Sequence, residues 1–416
     1  MLAHRGGTGT DLNLVIAVLD TIVPTVPNSP SAAAVEAWQT IRSSRMAIHA
    51  RIVGAAIQRD ASCLVGEVSR SYELLAHRSE AIRLIKDEIS ALGKHGKPSD
   101  ALIIAVSGLG PSLGRASSQS QIKDKANKNP FRLRLMPKGW EGIFVNVMLN
   151  PEHHNGLFAL VARKGGTAAL SHPIARIITI HDALGAATEL RAPWQPFVHD
   201  KEVAHLISDP SINVVESDLE LQTECTPGSS LPELQRILGI SSALASVLTN
   251  LQRAMMAANA LTEGTLRNIN IQVLLNNSAA LHHAILSAPS ASRFDDLLYE
   301  PVRLATLIFD VGIVFPQPVA MGALSRVVRW MKAALEITGM EHIRNKEVLI
   351  WILFVGGVAA REMTERAWFV ERLNGMLGDM EWAEVKRLLR SFVWMPDAMD
   401  EGAIGLWDDM RCCERV

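Results

Sequence analysis

The sequence predicts an all-α protein, a multi-helical array of antiparallel helices with little or no sheet. Three observations carry this. Aromatic residues make up 5% of 416 and include only 2 Tyr, beside abundant Ala and Leu, a balance that favours helices over strands. Apolar residues recur at spacings of three and four through much of the chain. Alternating segments are few, and no Asn-Gly hairpin signal appears. A hydrophobic content of 48% against 20% charged argues for a folded chain rather than wholesale disorder. Lys+Arg 41 against Asp+Glu 43 gives a formal net charge of −2, so there is no global basic field to hold nucleic acid.

Residues 1–30 read as a flexible lead-in that ends in the Pro-containing stretch Pro24 to Pro30. The apolar run Leu14 to Leu19 is short and flanked by Asp11 and Asp20, which does not fit a signal peptide. One helical domain is expected over 31–410, with loops near 110–140 and 206–230, then a tail at 411–416. Leu75, Ile82, Ile85, Ile89 and Leu92 fall at spacings of 7, 3, 4 and 3, one stripe of a helix. Core packing is the first reading of that stripe and a short dimerising coiled coil the second. From Arg115 to Lys138 there are seven basic residues and one acid, Asp124, among Gly, Ser, Asn and Pro. This is a solvated loop, or alternatively a nuclear-import or phosphate-contacting patch.

A helix starting near Glu152 should stop at Gly165 and Gly166, and Pro173 suits the first turn of the next. Ser230 to Glu233 reads as a capping box. Later apolar faces follow helical spacing: Leu304, Leu307, Ile308 and Val311; then Leu324, Val327, Val328, Met331 and Leu335; then Val385, Leu388, Leu389 and Phe392. Val348 to Ala360 is apolar but bounded by Lys346, Glu347 and Arg361. It falls short of the roughly 20 residues that span a bilayer, so it reads as a buried core helix and no membrane contact is expected.

Little in the chain suits catalysis. Cys63, Cys225, Cys412 and Cys413 form neither a disulfide scaffold nor a C-x2-C zinc pattern, which fits an intracellular protein. Gly110 to Gly114 matches G-x-S-x-G around Ser112, so a serine hydrolase is one alternative. A nucleophile elbow, however, needs a strand before it and a packed helix after it, and Arg115 to Gln121 carries no apolar stripe. The doublets His153–His154 and His282–His283 lack metal-ligand spacing. Adjacent helical side chains diverge by about 100°, so these read as hydrogen-bonded structural histidines. No cofactor and no metal site is expected. Glu300 and Arg303 lie one helical turn apart, an ion pair or a carboxylate-binding arginine. Trp330, Trp351, Trp368, Trp382, Trp394 and Trp407 are core fillers or the lining of an aromatic pocket. Glu300, Arg303, Trp351 and Trp368 are therefore read together as packing residues or an effector pocket.

Several of these residues fall in an order that resembles the fungal-specific transcription factor domain, the regulatory region of fungal zinc binuclear cluster regulators. Tyr299 to Ala305 is similar to its E-P-x-R-L-A helix start. Trp351 to Ala360 is similar to its Trp- and Gly-Gly-containing helix, Arg366 to Phe369 to its R-x-W-F step, and Trp382 to Trp394 to a later Trp-Glu-Val helix, with Trp407 following. Upstream, His153 to Leu157 and Arg163 to Gly166 resemble a further step. The likeness covers about 98–410 and is most specific over 299–407. It implies an all-α, nuclear transcriptional regulator that senses a small-molecule effector or a protein partner, a homodimer included. It implies no catalytic residue. The six-cysteine zinc cluster of that family is absent from this sequence, so no direct nucleic-acid binding is expected. A helical interaction scaffold without ligand is the remaining alternative.

Overall fold

A computed structural model describes residues 32–62, 72–113, 130–131, 147–199, 244–251, 271–289, 297–317, 321–343 and 345–413. These residues are all-α apart from one short antiparallel ladder. They group into two compact units. Unit 1 comprises Met1–Asp124, Lys138–Gly185 and Trp194–Glu202; unit 2 comprises Lys125–Pro137, Ala186–Pro193 and Val203–Val416. The one helical domain expected over 31–410 is thus divided. The lead-in, most of the basic segment after Arg115, the 206–230 connection and the box at Ser230 lie outside the described residues.

Unit 1 begins with α1 (Ala32–Arg42), α2 (Arg45–Ser62), α3 (Tyr72–Ala91) and α4 (Asp100–Leu109). Ser99 opens α4, its hydroxyl accepting from the Leu102 amide at 3.0 Å. Strand β1 (Pro111–Leu113) pairs antiparallel with β2 (Val147–Leu149), Ser112 opposite Met148. The next helix, α5 (Pro151–Lys164), carries its start and stop in the sequence. The Asn150 side chain accepts from the Glu152 and His153 amides, Pro151 sits in the first turn, and Gly165 ends the helix at φ 117°. Helix α6 is His172–Glu189, with Pro173 in its first turn.

Helices α2 and α4 touch backbone to backbone. A Cβ on Gly54 would meet the Gly108 carbonyl oxygen at 3.1 Å, and one on Gly108 would meet the Ala50 carbonyl oxygen at 3.2 Å. Helix α3 turns differently from the expected stripe. Ala81 and Ile85 are buried with Leu74, Leu84 and Leu92 packed beside them, while Leu75, Ile82 and Ile89 are 51%, 38% and 41% exposed. The cause is a competing stripe with a small member, Ala81, which lets α3 lie closer to its neighbours than the bulkier row would.

Unit 2 holds α7 (Ile271–Ser287), α8 (Tyr299–Phe309), α9 (Ala323–Thr338), α10 (Lys346–Ala359), α11 (Arg366–Leu377), α12 (Trp382–Arg390) and α13 (Pro396–Cys413). The apolar faces expected on α8, α9 and α12 are buried, with Leu324 and Leu388 partly so. Every residue of α10 from Val348 to Ala359 is buried, which a length of 14 residues allows only inside a protein core. Among the described residues no helix is long and apolar enough to cross a membrane. Asn345 caps α10 by accepting from the Val348 amide at 3.1 Å. The glycine pair in α10 is a contact device: a Cβ on Gly356 would meet Phe369 Cε1 at 2.5 Å, and one on Gly357 would meet Leu406 Cδ2 at 2.5 Å. Hence α11 and α13 can reach the α10 backbone. Between α8 and the residues that follow, Asp310–Val314 forms a π turn, closed by the Phe315 amide on the Asp310 carbonyl at 2.8 Å. Nothing in the apolar spacing marks that turn.

Two glycine substitutions should therefore move stability in opposite directions. Gly356→Val should lower it by about 2–3 kcal/mol through overpacking against Phe369 and Met331. Gly375→Ala, on the exposed face of α11 with nothing near its new methyl, should raise it by about 0.5–1 kcal/mol. Denaturant midpoints at constant m-value read both.

Candidate functional site

The four residues nominated from the sequence lie in unit 2, each among its own neighbours. Arg303 donates from Nε to Glu300 Oε2 at 2.8 Å and from Nη2 to Glu300 Oε1 at 2.7 Å, so its planar fork is taken by its helical neighbour. Trp351 is 0% exposed. Its indole N–H donates to the Val393 carbonyl at 2.9 Å, and its ring lies between Phe309 and Phe392, with centroids 6.2 Å and 5.7 Å away. Trp368 sits elsewhere, edge-on to Phe369 and beside the Lys332 and Arg372 cations. Trp382 and Trp407 pack ring to ring at 5.7 Å, while Trp330 is 45% exposed.

Ser112 lies on β1, and the residues before it form helix α4, not a strand. The strand that should lead into a nucleophile elbow is therefore missing. Cys412 is a free, exposed thiol. Among the described residues no group of three or more His, Cys, Asp or Glu is placed to hold a metal ion.

The histidine doublets part company. His282 is wholly buried and bonded through Nδ1 to Asp310 Oδ2, with the Phe315 ring stacked on it at 4.6 Å. Burial pushes the Asp310 carboxyl up, against the pull of His282, and its Oδ1 has no hydrogen-bond partner. His283 instead meets the Ser287 hydroxyl at 3.4 Å. His153 and His154, expected to point apart, both border one small recess in unit 1, shared with Ser107, Gly110, Asn150 and His181. It has room for about one water-sized group.

The recess has an unusual polar lining. His153 Nε2 donates to the Val106 carbonyl at 2.5 Å. The His154 ring packs against Phe158 and Trp194 at 4.7 Å and 5.9 Å and lies flat on Gly185, where a Cβ would strike it at 2.3 Å. Ser107 is 1% exposed, and its hydroxyl has no partner. His181 is pushed down to about 3 by burial first, then by the charges of Arg51, His154 and His153. Arg51 is 5% exposed, and its Nε and Nη2 have no hydrogen-bond partner. Burial alone brings it down to about 10, so the guanidinium remains charged at neutral pH with no carboxylate opposing the shift. A buried guanidinium with two unpaired nitrogens is costly, which sets this cluster apart from ordinary packing.

The sequence does hold a signal for this site. Arg51 breaks the largely apolar run from Met46 to Ile57, as does His49, and His181 follows Ile174 to Ile180, a stretch broken by Arg176 and Thr179. A charged or titratable group on the buried side of a helix is the cue. The doublet was visible; its convergence with Arg51, Ser107 and His181 depends on tertiary packing.

No family model matches the chain, and neither a curated protein nor a solved structure matches it. The fold is all-α and the recess is lined by a hydroxyl, an amide and three imidazoles; the likeness to fungal regulators rests on the motif residues alone.

Two outcomes follow. His181 stays neutral in the fold but protonates near 6.5 once unfolded, so the unfolded chain binds more protons as pH falls. Stability conferred by the neutral imidazole is full above 6.5 and declines from there toward about pH 3. The loss between about pH 7 and about pH 5 should be smaller in His181→Asn than in the unaltered chain, read by urea midpoints. Glu300→Gln should cost about 2 kcal/mol by loosening the Arg303 fork, read the same way.

Proposed function

We propose that the chain is a regulatory helical domain of the fungal transcription-factor kind, working in the nucleus, that senses a small effector and performs no reaction. The observation that carries this reading is the small recess beside α5, lined by Ser107, Asn150 and three histidines. The ordered motif residues over 299–407 add support, because their glycines and tryptophans serve helix packing. Sensing then means that an effector binds one packing of the helices more tightly than another.

The test is a fusion of the full chain to a heterologous DNA-binding module in a fungal cell with a reporter gene. Reporter output should change on a shift of carbon or nitrogen source. Output equal to that of the module alone under every condition would overturn the proposal. Labelling of Ser112 in purified protein by a fluorophosphonate would overturn it in favour of a hydrolase.

A further inference from the structure

We propose that the recess in unit 1 is an anion site that takes the oxyanion head of a small molecule, a carboxylate or a phosphate, with Arg51 as the countercharge and Ser107, His153 and His181 as its polar wall. The inference builds on the effector-sensing role above and names the chemistry of that effector.

Four independent features converge. First, Ser107 offers a buried hydroxyl with no partner, and it borders the recess. Buried hydroxyls are hydrogen-bonded as a rule, so an unpaired one facing a void marks a missing group. Second, Arg51 carries a buried guanidinium with Nε and Nη2 unpaired, and it follows Ala50, whose carbonyl oxygen touches Gly108 next to Ser107. Third, no carboxylate lines the recess; the surrounding titratable groups are imidazoles. Fourth, Asn150, the cap of α5, and His153 in its first turn both border the recess, which places it beside the N-terminal end of that helix.

The donor inventory fits an oxyanion. Ser107 has one O–H to give, and His181 has one N–H when neutral. His153 spends its Nε2 proton on the Val106 carbonyl. The recess has room for one ligand oxygen. His154, held between Phe158, Trp194 and the Gly185 backbone, provides a flat apolar wall.

The experiment is a thermal-shift and calorimetric titration of the full chain with sodium acetate and with inorganic phosphate, ionic strength being held constant with chloride. At least one of the two should raise the melting point saturably, and which one does so separates a carboxylate from a phosphate ligand. In Arg51→Met the response should vanish while the melting point without anion equals or exceeds that of the unaltered chain, because an unpaired buried charge has been removed. A purely structural arginine would give the opposite, a less stable fold. Ser107→Ala should weaken the response about tenfold with stability unchanged, which keeps the test valid should Arg51→Met misfold. No saturable shift with either anion, or an undiminished shift in both variants, overturns the inference. If no anion binds and the fused chain still alters transcription, only the anion chemistry falls. If an anion binds and transcription never responds, only the regulatory reading falls.

Discussion

Helix α10 is buried on all sides from Val348 to Ala359, and that single constraint organises unit 2. A helix with no solvent face needs neighbours around its circumference, and the neighbours must come close enough to exclude water. Phe369 from α11 and Leu406 from α13 reach the helix where Gly356 and Gly357 offer no side chain. Helix propensity is given up there, about 1 kcal/mol per glycine, and close packing compensates. Trp351 on the same helix turns its one polar atom onto the Val393 carbonyl, so the largest side chain of the core leaves no unpaired donor.

Unit 1 handles polarity differently. Its α2 and α4 also meet through glycines, Gly54 and Gly108, but the residues adjoining that contact are not all apolar. Arg51 and Ser107 adjoin it and are left without hydrogen-bond partners. In a well-packed helical unit such groups are either errors of folding energy or the remnants of a function, and their company of three imidazoles with no carboxylate favours function.

What was readable in the sequence depended on how local the cause was. Asn150, Pro151 and Gly165 act within a turn of the helix they bound, so the limits of α5 could be read off directly. The faces of α8, α9 and α12 were readable because each is a row of large apolar side chains. Helix α3 is harder to read because its packing face includes Ala81, a residue that periodicity weighs lightly, while the larger Leu75, Ile82 and Ile89 remain exposed. Glu300 and Arg303 could be paired from spacing alone; Trp351 and Trp368 could be placed in helices but not assigned different surroundings. The anion recess draws on α4, α5 and α6 together, and no local pattern announces a meeting of three helices.

The turn at Asp310–Val314 carries a last consequence. A π turn is an α turn with one residue added. A chain that lost one residue between these positions would relax to ordinary helix and swing Phe315 about 100° around the axis, off the imidazole it roofs. The shielding of His282 from water is thus a matter of residue count rather than residue type, and conservative replacements within the turn would leave it intact where a single deletion would not.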